Sequence, residues 1–169
     1  MCEDCGAAPA DVRDGCRQVF EQIIAKEFSD MRYGKVHRLT VDCYSMQHPA
    51  YILSAKSFAA HLTRLCCAME HGRSARIYKA INRWLDGPAR MQKPSDLRKA
   101  AGYLTITHIA RTVTPEEHVE KVQEWAESVW AAWGGFHALA RELVEAATSK
   151  PARLARNCIA EGELKDGTK

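Results

Sequence analysis

Cys2-x-x-Cys5-Gly6, then Cys16 and the histidine of Gln47-His48-Pro49, are metal-binding residue types at metal-binding spacings. Cys-x-x-Cys lets two thiolates grip one tetrahedral ion, Gly6 lets the backbone turn sharply behind the second, and Cys16 closes a short loop as third ligand. With His48 as the fourth, no coordination position stays open, so the site reads as structural rather than catalytic. Zinc is the default ion for Cys₃His in a reducing compartment, although iron or an iron–sulfur cluster would use the same thiolates. The rival chemistry is a redox pair. A thioredoxin-like pair follows a strand and opens a helix, and neither is expected around Cys5.

A second polar set lies downstream. On a helix, His37, Val41, Tyr44 and His48 share one face while Asp42 points well away, so no single pocket holds them all. A helix running back along this one would bring His61 near its middle, where His61 with Asp42 or Tyr44 forms either an acid–base pair, part of a second metal site, or a buried hydrogen-bond network. The network is the expected outcome. His71, His108, His118 and His137 read as ordinary solvated histidines. Cys66 and Cys67 diverge by about 100° on a helix, which suits one core and one edge position, and Cys158 reads as an exposed tail thiol.

Positioning these groups requires helices. Val19, Phe20, Ile23, Ile24 and Phe28 fall at helical spacing from Cys16, with Asp14 placed to cap the start and Gly34 after the end. Val36, Leu39, Cys43 and Met46 repeat the pattern until Pro49 stops it. Ser54 caps a third helix with the stripe Ala55, Phe58, Leu62, Leu65 and Met69, ending at Gly72. A shorter helix is expected over 74–85, then an irregular connection, then over 103–109 a loop entering a short helical turn. Thr114-Pro115-Glu116-Glu117 starts a long helix with the stripe Val119, Val122, Ala126, Val129 and Trp133, flanked by Trp125 and Trp130. Gly134-Gly135 interrupts it before Phe136, Leu139, Leu143 and Val144 resume the spacing.

The first two helices are joined by few residues and should pack as an antiparallel hairpin, which puts Cys16, at the start of one, beside His48, at the end of the other. His37 sits at the far end, so His48 is the better fourth ligand. The segment carrying Cys2 and Cys5 holds almost nothing large and apolar, and a metal would fasten it where it cannot build a core.

Val36-His37-Arg38-Leu39-Thr40-Val41-Asp42-x-Tyr44-x-x-Gln47-His48-Pro49, taken with the cysteines, resembles a small bacterial family catalogued only as a domain of unknown function. The resemblance extends through Ser57 and His61-Leu62 to Trp125-x-x-x-x-Trp130-x-x-Trp133 and covers the chain to about residue 145. It implies a shared fold and a shared polar set, Cys2, Cys5, Cys16, His37, Asp42, Tyr44, Gln47, His48 and His61, but no reaction. Cys43 departs from the pattern, standing where similar chains carry a small residue, and is not expected to be a ligand.

Composition narrows the rest. A chain of 169 residues with 46% hydrophobic content fits one core, and a net charge of +3 marks neither a nucleic-acid nor a membrane-surface protein. Seven cysteines, an odd number, without a signal peptide argue for reduced thiols and a cytoplasmic location. No apolar run is long enough to span a bilayer. Between 73 and 99, eight lysines and arginines face Asp86 and Asp96, and Arg73, Arg76, Lys79 and Arg83 recur at helical steps as one basic face. No recognition motif accompanies them, so solvated surface is the expected role and nucleic acid is not the expected partner.

The expectation is an all-α single domain over 1–149, a bundle of about five helices with a zinc-fastened N-terminal segment 1–16 and a polar tail over 150–169. Its function reads as a zinc-binding interaction module, with a protein partner or a second copy of the chain. The rivals are an enzyme with His37, Asp42, Tyr44 and His61 in a pocket between helices two and three, and a nucleic-acid binder using the 73–99 segment. No residue is assigned as catalytic.

Overall fold

A computed structural model of the chain describes residues 1–8, 15–88, 91–95 and 101–149. Asp14, Cys158, the tail over 150–169 and part of the basic 73–99 segment lie outside these residues. The described residues form eight α-helices and no strand: α1 (Cys16–Ser29), α2 (Met31–Gly34), α3 (His37–Gln47), α4 (Ala55–Glu70), α5 (Ala75–Asp86), α6 (Ile106–Ala110), α7 (Pro115–Ala132) and α8 (His137–Thr148). The all-α bundle is as expected, with six helices of eleven residues or more and the short α2 and α6 between them.

Local chemistry sets most boundaries. The Ser54 hydroxyl accepts from the Ser57 amide to start α4, and Thr114 accepts from the Glu117 amide to start α7, with Pro115 at the first helical position. Pro49 ends α3 and opens a 3₁₀ turn over Pro49–Tyr51. The loop before α6 tightens into a helical turn as expected, its start held by a box in which Thr105 and His108 exchange bonds. Gly134–Phe136 is a 3₁₀ turn that redirects the chain from α7 into α8.

The hub of the bundle is α3. It packs against α1, α4 and α7, while α4 also packs against α5 and α8. From Leu39 to His48 every residue of α3 and its cap except Val41 is buried, including Thr40, Asp42, Ser45, Gln47 and His48. A helix buried all round needs partners for its polar groups on every side. Gln47 shows how this is met: its Oε1 accepts from Trp125 Nε1 at 3.0 Å, and its Nε2 donates to the carbonyls of Ala101 and Leu104, the latter at 2.7 Å. One amide thus ties α3 to α7 and to the loop leading into α6.

Several expectations need correction. Gly34 does not follow the end of the first helix but closes α2, where a Cβ would meet the Glu27 carbonyl oxygen at 2.8 Å. Phe28 is 73% exposed because the chain turns at Asp30 into α2 and leaves that face uncovered. Both Cys66 and Cys67 are fully buried, since α5 covers the edge where one of them was expected. Trp125 belongs to the core with Trp133, and Trp130 stays half-buried beneath His137 at 3.7 Å between ring centroids. Arg73 stands before α5, at φ 59°, and so does not share the face of Arg76, Lys79 and Arg83.

Candidate metal centre

The N-terminal segment folds as a tight knuckle. The Cys2 amide donates to the Ala7 carbonyl at 2.8 Å and the Gly6 amide to the Cys2 carbonyl at 3.0 Å, and Gly6 adopts φ +77°, which only glycine takes without strain. This winding turns backbone N–H groups onto sulfur: those of Asp4 and Cys5 onto Cys2, and that of Ala7 onto Cys5. Such donors favour thiolate over thiol.

Cys16, the first residue of α1, brings its Sγ to 3.5 Å from Cys5 Sγ, and His48 at the end of α3 brings Nε2 to 3.9 Å from Cys2 Sγ. All four candidate ligand atoms lie within 4.8 Å of one another. Thiolates about 2.3 Å from a tetrahedral ion stand about 3.8 Å apart, so the cluster is near the size such an ion sets. Cys5, Cys16 and His48 are buried, and Cys2 is partly covered.

His48 is held for this role from both sides. Its Nδ1–H donates to the Tyr44 carbonyl at 2.8 Å, which leaves the Nε2 lone pair facing the sulfurs. Tyr44 stacks between Phe20 and the His48 ring, 4.0 Å from each, and fixes the plane of the imidazole. Burial holds the His48 ring below its usual range, which keeps that lone pair free. At Cys2 burial opposes ionisation, but the amides of Cys5 and Asp4 outweigh it and lower the thiol below its ordinary value. Burial raises Cys5 despite the Ala7 amide, and burial together with the two neighbouring cysteines pushes Cys16 well up. Three thiols this close to one another need a cation to ionise together. The donor set therefore fits a tetrahedral thiophilic ion, and the four residues expected from the spacing are the ones brought together.

The remaining polar residues fall into separate groups. His61 Nδ1 lies 2.8 Å from Asp42 Oδ1, in the middle of α3 as expected, with Asp42 buried and its Oδ2 without a hydrogen-bond partner among the described residues. Burial raises the Asp42 carboxyl although His61 opposes the shift. Tyr44 does not join them, since it belongs to the stack at His48. His37 pairs instead with Glu27, a residue the periodicity did not single out. Glu27 is buried on α1 and accepts from Thr40 Oγ1 at 2.5 Å, His118 Nε2 at 2.9 Å and His37 Nδ1 at 3.0 Å. His118, expected to be solvated, is fully buried because this carboxylate faces it. An acid on the same helical face as Ile23, four residues earlier, was the available signal for Glu27.

Among the described residues no helix is long and apolar enough to cross a membrane. No curated protein and no solved structure matches the chain. A family model does match, over residues 1–134, and its description is a family of unknown function (DUF5946).

Proposed function

The chain belongs to this family of unknown function, DUF5946, and from its own residues we propose that it is a zinc-binding helical protein whose metal fastens the N-terminal knuckle to α1 and α3. The observation that carries this reading is the convergence of Cys2, Cys5, Cys16 and His48 within 4.8 Å, with amides on the sulfurs and Nε2 of His48 turned inward. Zinc is favoured over iron because three thiolates and one imidazole are an ordinary structural zinc set. When bound, the ion supplies four bonds in place of a core. Four protein donors complete a tetrahedron, so the chain's activity resides in binding rather than in chemistry at the ion.

A reducing, cytoplasmic setting suits this reading, since thiols must stay reduced to hold the metal. The reading extends to an interaction module for a protein partner or a second copy. Exposed Phe28, Met31 and Val113 support that part, because Tyr33 bonds the Val113 carbonyl and so brings Val113 to the α1–α2 corner.

Elemental analysis of the purified wild type beside Cys5→Ser and His48→Ala, with thermal unfolding of each, tests the proposal. The expected result is one zinc per chain, lost together with stability in both variants. Metal-free wild type, or full metal content in His48→Ala, overturns it.

A further inference from the structure

Basic residues gather at the opposite end of α3 from the cysteines. A cleft of about 560 Å³ is lined by residues 34–39, Arg73 and Tyr78, and no acidic side chain lines it. Three cations reach it from separate places: Lys35 before α3, Arg38 on its first turn and Arg73 from the turn before α5. Among the described residues none of the three takes part in an ion pair. Surface cations left this way are usually just solvated, so the case rests on what holds them and on His37.

Arg38 is held over the Tyr78 ring, 4.5 Å from its centroid, and so is pre-placed rather than free to sweep the solvent. Arg73 is the one non-glycine described residue at positive φ, 59°, directly after Gly72. A glycine would take that conformation at lower cost, so an arginine is held there against its backbone preference. His37 stands at the cleft wall with its Nδ1–H given to Glu27. That carboxylate is buried behind the ring, where it orients the imidazole, and it does not itself line the cleft.

We propose that this cleft binds the phosphate of a small phosphorylated molecule, with Lys35, Arg38 and Arg73 on its oxygens and the His37 ring, oriented by Glu27, as a fourth contact. The volume lies within the range of small-molecule sites, and three cations around a cleft that no acidic side chain lines suit a dianion, with buried Asp42 behind Tyr78 the nearby negative group acting on Arg38. This site is independent of the metal centre.

The test is titration of the intact protein with inorganic phosphate at constant ionic strength, followed by NMR of backbone amides and histidine ring nitrogens. Saturable shifts are expected at residues 35–39 and 73 and in the His37 ring, but not in the ring of His137. Lys35→Ala with Arg73→Gly, the second of which relieves the backbone, should weaken binding about tenfold or more. Lys79→Ala with Arg83→Ala removes the same charge outside the cleft and should change it less than about twofold. Absence of saturation, or equal weakening by both pairs, overturns the proposal. So does binding of a single-stranded oligonucleotide that these cleft substitutions abolish while free phosphate gives no shifts, because the ligand would then be nucleic acid.

Discussion

Two buried carboxylates in this protein are treated in opposite ways. Among the described residues, Glu27 accepts three hydrogen bonds, whereas Asp42 accepts one and leaves Oδ2 without a hydrogen-bond partner. Removing Glu27 leaves His118 Nε2 without its partner in the core, while Thr40 keeps only its longer bond to the Val36 carbonyl, so Glu27→Ala should cost about 3–5 kcal/mol in urea unfolding. A loss below about 1 kcal/mol would mean that the three donors find other acceptors. Asp42 should behave in reverse. Its folded carboxyl titrates above the usual value because of burial, so stability from this group is fully present below pH 3.8 and is lost as pH rises through the raised value. Asp42→Asn should therefore be more stable than wild type at pH 7, by on the order of 1 kcal/mol, with the gain closing towards zero as pH falls to about 3.8. Unfolding midpoints of the two proteins from pH 3 to 8 check this, and a less stable Asn variant at pH 7 would contradict it.

Between the helices, the tightest fit is the loop entering α6. Ser128 Oγ accepts from the amides of Tyr103 and Leu104 at 2.8 and 3.1 Å, and Gly102 lies so close that a Cβ would stand 2.6 Å from that oxygen. Gly102 also sits at φ +76°. Gly102→Ala should lose about 2 kcal/mol or more, while Gly134→Ala, with open space around it, should stay within about 0.5 kcal/mol; thermal melts of both decide it. Such contacts also mark where the sequence stopped being legible. Val122, Ala126, Val129 and Trp133 announced the core face of α7, and Thr114-Pro115 its start, because both signals are local. His118 lies on that same helix, yet its burial depends on Glu27, 91 positions away, and a local pattern carries no trace of it. The expected edge position in the Cys66–Cys67 pair failed for a similar reason, since the cover comes from the α5 side, where the Cys67 sulfur meets the Ser74 carbonyl. The clustering of Cys2, Cys5, Cys16 and His48 was legible because two local facts, Cys-x-x-Cys and the few residues between the first two expected helices, were enough to bring them together.

For the molecule as a whole, the proposed zinc site and the bundle are separable layers. Among the described residues before α1, Cys5 and Ala7 join the buried core, whereas the large buried side chains come from α3 through α7. Chelation of the metal should therefore lower the unfolding midpoint and open the segment before Cys16 to protease, while far-UV helicity stays nearly unchanged. Collapse of helicity on chelation would show instead that the bundle depends on the ion. Cys2 and His48 are 46 positions apart, with the other two cysteines close behind Cys2. A ribosome adding about 5–20 residues per second needs about 2–9 s to travel between them. Over the last 32 of those positions, once Cys16 has been made, the nascent chain carries the complete thiol trio with no imidazole to finish a tetrahedron. On the proposed zinc reading, the order of synthesis sets the order of ligation: sulfur would capture the ion first, and the completion of α3 would seal it.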